Sequence, residues 1–175
     1  MDDVEIIPYD PAWTTLFATE AENLRAILDP GQIIGIEHFG STAVPELAAK
    51  PIIDILIAVK SLAHAKSAMV EPIIALGYAY WAENPKTDRM FFVKGMPPYG
   101  ERRTHHVHIT EPDGEMWRRR LLFRDHLRGD PEEAHRYEAL KRELAARYPD
   151  DRERYTDAKT EYVEAVYRKL GLSTE

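Results

Sequence analysis

Cysteine is absent from this chain of 175 residues. That excludes a disulfide framework and a thiolate zinc site. Long apolar runs are absent too. None approaches the ~18 residues of a membrane span, so no membrane association is expected. Positive charge is in deficit: Lys and Arg number 23 against 30 Asp and Glu, a formal net charge of −7. Duplex nucleic acid needs a basic stripe, so long nucleic acids are not expected as partners. A nucleotide or other small phosphorylated ligand needs only a few local cations and stays in play. No basic n-region follows the first methionine, so no secretory leader is expected and a cytoplasmic protein is. Walker lysine motifs, dinucleotide glycine patterns and Gly-x-Ser-x-Gly elbows are all missing.

What is there suits one soluble globular domain, 44% apolar and 30% charged. The charge is uneven. Residues 1–114 carry 9 Lys and Arg against 16 Asp and Glu, whereas residues 115–175 carry 14 of each. Asp10-Pro11 starts a helix whose apolar stripe is Trp13, Phe17, Ala21, Leu24 and Leu28. Residues 32–39, 51–59, 78–82, 89–94 and 104–110 read as strands. A short helix is expected around Val44 to Ala49 and a longer one over Ser61 to Leu76, stopped by Gly77. Helices over residues 115–128, 131–148 and 152–170 complete the chain, with Tyr137, Leu140, Leu144, Tyr148, Tyr155, Tyr162 and Val166 inward. The order implies an α/β (α+β) fold: a small mixed sheet flanked by helices, followed by a helical C-terminal region.

One residue sits oddly in this pattern. Asp54 interrupts the apolar strand PIIDILIAV (residues 51–59). An unpaired carboxylate there costs several kcal/mol, so a partner is expected: backbone N–H groups, Lys50, an Arg or a metal.

The stretch HFGSTAVPELAAKPIIDILI, with the strand THHVHITEP and the helices WRRRLLFRDHLR and YEALKRELA, resembles the GrpB family along nearly the whole chain. The resemblance implies a nucleotidyltransferase-like core over about residues 1–114 and a helical part over about residues 115–175, within a single domain. The superfamily pattern is a Gly-Ser pair, a spacer and then acid-apolar-acid on a strand. Gly40-Ser41 and Asp54 match it; Leu56 stands where the second acid belongs, and Glu46 replaces an expected Gly.

In that frame Gly40 lets backbone approach a phosphate, and Ser41 offers a hydroxyl and an N–H at a turn. Acids at alternate strand positions share a face and hold two metals about 3.5–4 Å apart. With Leu56 in the second place, a single divalent metal on Asp54, Mg2+ or Mn2+, is the expectation.

The strand RTHHVHIT puts His106 and His108 on one face. Asp54, His106 and His108, with His38 as a further candidate, make a mixed N/O set that also suits Zn2+. Lys50, Arg102 and Arg103 are the candidate phosphate cations, and one of Arg118, Arg119 and Arg120 is placed to reach a cleft. Trp81 and Tyr99 are candidates to stack on a base. Two functions follow. One is metal-dependent nucleotidyl or phosphoryl transfer to a small acceptor, with Asp54 and Ser41 catalytic. The other is a non-catalytic module of the same fold that binds a nucleotide or small ligand.

Overall fold

The five expected strands form one sheet in the computed structural model, which describes residues 4–172. They are β1 (Ile33–Phe39), β2 (Ile53–Val59), β3 (Tyr78–Tyr80), β4 (Arg89–Lys94) and β5 (His105–Thr110). Their order across the sheet is β1-β2-β5-β4-β3. β2 and β5 are parallel and the other neighbours are antiparallel, so the sheet is mixed.

β2 is covered on both faces, which is why it carries almost no polar residue. Ile53, Ile55, Ile57 and Val59 join Val107 and Ile109 of β5 in the main core. Three helices cover that face: α1 (Ala12–Ile27), α2 (Leu62–Ala68) and α3 (Val70–Ala75). Trp13, Ala21, Leu24 and Leu28 are buried in it and Phe17 packs against it, the stripe read from the sequence. Glu20 anchors α1 to the sheet, accepting from Tyr78 Oη at 2.8 Å and from Lys94 Nζ at 2.7 Å.

The opposite face carries Asp54 and Leu56. It is closed by α4 (Glu115–Gly129), with α5 (Pro131–Arg147), α6 (Arg152–Ala158) and α7 (Thr160–Lys169) packed beyond. Buried Arg124 of α4 ties this layer to β1, donating to Glu37 Oε2 at 2.7 Å and to the His38 carbonyl at 2.8 Å. The α5 start is as the sequence suggests: Asp130 Oδ1 accepts from the Glu133 N–H at 3.0 Å, with Pro131 first in the helix. No helix among the described residues is long and apolar enough to cross a membrane.

Three local expectations change. Residues 44–49 form no helix; a single 3-10 turn occupies Ser41–Ala43 instead. Pro45 and the positive φ of Glu46 (64°) break the helical path. The backbone of this loop is satisfied from outside. Glu138 Oε2 accepts from the Ala48 N–H at 2.9 Å, Lys141 Nζ donates to the Ala48 carbonyl, and Ala49 bridges to Ile7. The segment over Ser61 to Leu76 divides at Met69, just before Pro72 withdraws an N–H from the ladder. The last helix divides at Lys159, whose N–H bonds to the Thr156 carbonyl three residues back.

Candidate functional site

Asp54 finds its partner on the neighbouring strand. Parallel pairing sets Asp54 beside His106 and Leu56 beside His108, so all four share one face. His106 Nδ1 lies 2.9 Å from Asp54 Oδ1. Burial alone would raise the Asp54 pKa. The His106 hydrogen bond and charge, then His108 and Lys50, outweigh it and hold the carboxyl below its usual range. One nitrogen of each imidazole is buried without a hydrogen bond: His106 Nε2 and His108 Nδ1. Burial pushes the His108 pKa well below 6.5.

Gly40 shapes the turn beside Asp54. Its φ of 72° and ψ of −172° lie in a region essentially restricted to glycine. A Cβ there would also collide with the Asp54 carboxylate. The requirement for glycine is thus set by close approach to Asp54. Thr42 braces the turn by donating to the Ile52 carbonyl at 3.2 Å. His38 lies 3.0 Å from Thr42 Oγ1 and stacks on Phe17 with centroids 4.7 Å apart. That places it with α1, on the face away from Asp54 and His106. Burial, with Arg128 and Arg124 nearby, pushes its pKa down to about 4. It braces the turn and does not join the Asp54 set.

Between this sheet face and the C-terminal helices is a cavity of about 340 Å3, within the range of small-ligand sites. Gly40, Ser41, Asp54, His106 and His108 are at its wall. So are six cations: Lys50, Arg103, Arg120, Lys141, Arg152 and Lys159. Asp54 is the one carboxylate among the described residues that line it. In an acidic protein this is a local concentration of basic side chains. Aromatic rings complete the wall, among them Phe91, Tyr137 and Tyr155.

The lysines carry the mark of burial first and of crowding second. Burial first, then Arg152 and Lys159, lowers Lys50 to about 7. Lys141, 2% exposed, is also brought to about 7 by burial and by Lys159. Lys159 falls to about 8, mainly through burial. The Tyr155 ring partly offsets the repulsion. Lys50 Nζ lies 4.7 Å and Lys159 Nζ 4.4 Å from its centroid. Tyr137 does the same for Lys141 at 5.0 Å.

A bound metal needs converging donors. Leu56 supplies none; it is fully buried with Phe39 and Met116. Asp54 Oδ1 is engaged by His106, and Oδ2 lies against Gly40. As the side chains stand, Asp54, His106 and His108 do not bring three ligand atoms within 4.8 Å of one another. Among the described residues His126, Asp130 and Glu133 do, near the start of α5.

Seven residues singled out from the sequence therefore meet at one cavity: Gly40, Ser41, Lys50, Asp54, Arg103, His106 and His108. Arg102 does not; it lies with Tyr99 in a different surface depression near Gly77. Trp81 packs edge-on against Phe91, with centroids 6.1 Å apart, and is absent from the cavity wall. Of the three consecutive arginines Arg120 reaches the cavity, while buried Arg119 pairs with Glu115 and Glu164.

Lys141, Arg152 and Lys159 were not among the candidates, yet the sequence marks two of them. Lys141 lies in the stripe Tyr137, Lys141, Leu144, Tyr148, and Lys159 in the stripe Tyr155, Lys159, Tyr162, Val166. Arg120 obeys the same rule, between Met116 and Phe123. A cation at a helix's core-facing position points to a buried charge awaiting a partner.

Comparison with known proteins supports this picture of the fold. The model of the GrpB protein family matches residues 3–169. The UPF0157 protein PA4798 of Pseudomonas aeruginosa is 53% identical over 177 residues, spanning 99% of this chain and 70% of that protein. The UPF0157 protein YqkA of Bacillus subtilis is 44% identical over 163 residues, spanning 93% of this chain but only 46% of YqkA. The crystal structure of the conserved protein GrpB from Enterococcus faecalis superposes with a TM-score of 0.83 at 36% identity, covering 94% of this chain and 96% of that one.

Proposed function

This chain belongs to the GrpB family, and from the geometry of its cavity we propose that it binds a small phosphorylated ligand, a nucleotide in the first instance, for nucleotidyl or phosphoryl transfer. One observation carries the reading: three largely buried lysines, Lys50, Lys141 and Lys159, converge on a cavity of about 340 Å3 whose described wall holds a single carboxylate, in a protein of net charge −7. Clustering like charges is costly unless an anion joins them. Arginine forks suit phosphate oxygens, and the aromatic wall offers a surface for a base or sugar.

The transfer chemistry is supported by the Asp54–His106 pair. Asp54 orients the imidazole through Nδ1 and leaves Nε2 buried without a partner, the arrangement of a general base or acid. Ser41, in the adjacent turn, is the hydroxyl closest to this reading. The cations would steady charge developing on the transferred group, with no reorganisation needed at the moment of reaction.

A second reading is favoured by Leu56. Its burial among apolar side chains removes the second acid of the superfamily pattern, which suits a module that binds its ligand without turning it over.

Thermal denaturation with a panel of nucleotides, coenzyme A and sugar phosphates tests the first step. A ligand present at 100 times its Kd adds about 2.7 kcal/mol of stability, and at least one is expected to raise the midpoint. No shift with any ligand at millimolar concentration sinks both readings. Release of pyrophosphate or labelled nucleotide then separates transferase from binder.

A further inference from the structure

We propose that His106 takes the transferred group covalently: its Nε2 attacks phosphorus of the bound ligand and carries the group as a phosphohistidine or nucleotidyl-histidine before handing it to the acceptor. The inference rests on the transfer reading above and names the atom that reacts.

Asp54 sets the tautomer. Its carboxyl is held below the usual range, so at pH 7 it is ionised and only accepts hydrogen bonds. His106 Nδ1, 2.9 Å from Oδ1, is therefore the nitrogen that carries the proton. In the neutral ring the lone pair is then on Nε2. That atom is buried and has no hydrogen-bond partner. A general base would serve a hydroxyl, but Ser41 is hydrogen-bonded with the Tyr137 side chain instead. With no protein hydroxyl on Nε2, the nitrogen itself is left to meet the ligand. The one-step displacement of the superfamily pattern also lacks its second acid, because Leu56 is packed among apolar side chains. A covalent intermediate replaces one difficult displacement by two easier ones.

The steps balance without an oxidant or reductant. First the Nε2 lone pair forms the N–P bond while the P–O bond to the leaving group breaks, and the leaving oxygen keeps that electron pair. Nδ1 keeps its proton, and the Asp54 carboxylate offsets the positive charge on the ring. Then an acceptor oxygen bonds to phosphorus, the N–P bond breaks and its electron pair returns to Nε2. The acceptor's proton passes to solvent. Burial suits such an intermediate, because water reaching the phosphorus would hydrolyse it. It also requires a neighbour to give way. The Phe91 ring packs on His106 with centroids 5.3 Å apart and is itself only partly buried at the cavity wall, so it is the side chain placed to turn aside.

Incubation of the full chain with potassium phosphoramidate, a phosphoryl donor that needs no nucleotide site, provides the test. Peptide mass spectrometry reads the sites and rates, and phosphorus NMR the isomer. The expected result is one phosphoryl group on His106, attached at Nε2, formed at least tenfold faster than on the exposed His64 and His135 of the same chain. Asp54→Asn, shown to be folded by circular dichroism, is expected to slow labelling of His106 tenfold or more and to leave His64 and His135 unchanged. Labelling of His106 no faster than of His64 and His135 in the wild type overturns the inference. Attachment at Nδ1, or an unchanged rate in folded Asp54→Asn, also overturns it. A nucleotide that raises the thermal midpoint while His106 stays unlabelled overturns this inference alone and leaves ligand binding standing. No midpoint shift with any ligand, together with no preference for His106, overturns both.

Discussion

Asp54 sits a quarter exposed in a strand whose neighbours are wholly buried. Its tolerance there depends on a residue 52 positions away, because β2 and β5 are parallel and set Asp54 beside His106. Replacing His106 by alanine leaves a mostly buried carboxylate without that partner, at an expected cost of about 1–3 kcal/mol. Urea denaturation at pH 7 measures it, and an unchanged midpoint contradicts the pairing. The pH dependence has a definite sign. A carboxyl whose pKa is below 3.8 in the folded state stabilises the protein above pH 3.8 and loses that contribution as pH falls through the folded value. At this scale the sequence was informative: it announced that Asp54 needed a partner and put His106 on one face with His108. It did not name His106 as that partner, only as a fellow ligand of a metal. Lys50, four residues away, was the nearer choice; His106 is far off in sequence, and strand order brings it to Asp54.

Elements built from local patterns were readable, and those held by distant contacts were not. All five strands follow from β-branched and alternating runs, and β2 from its unbroken apolar character. The loop over residues 44–49 was hidden because Glu138 and Lys141 of α5 satisfy Ala48, contacts about ninety residues apart. Lys141 thus joins two roles, bracing the loop and lining the cavity. Its pKa of about 7, against 10.5 in an unfolded chain, fixes a sign. Below pH 7 both states hold the proton and the cost of burying the charge is fully present. Between pH 7 and 10.5 the unfolded chain binds more protons, so stability rises with pH, by at most about 1.4 kcal/mol per pH unit for each such lysine. Lys141→Met is expected to flatten part of that rise, with Lys50 and Lys159 keeping the remainder. Denaturant unfolding at pH 7, 8 and 9 reads the slope, and parallel profiles for variant and wild type contradict the assignment.

Across the whole molecule, charge is separated in a way that composition hides. The surplus of acids lies in residues 1–114, while four of the six cavity cations come from the C-terminal helices and the joint between two of them. The sheet supplies Asp54 and the histidines, and α4 to α7 bring Arg120, Lys141, Arg152 and Lys159 over them. Neither part alone makes the cavity. Under the proposed function, positive charge gathered at one cleft of a negative protein focuses the field there and would draw small anions in preference to long polyanions. This arrangement was only half legible, since charges on helices ordinarily mark solvated faces and only their place in the apolar stripes betrays them. The most direct test of the central claim is a crystal structure of the chain grown with a non-hydrolysable nucleoside triphosphate. The account predicts phosphate oxygens within hydrogen-bonding distance of Lys50, Arg152 and Lys159, beside Gly40-Ser41. Phosphates bound elsewhere on the surface, or a cavity holding only solvent at millimolar ligand, would contradict it.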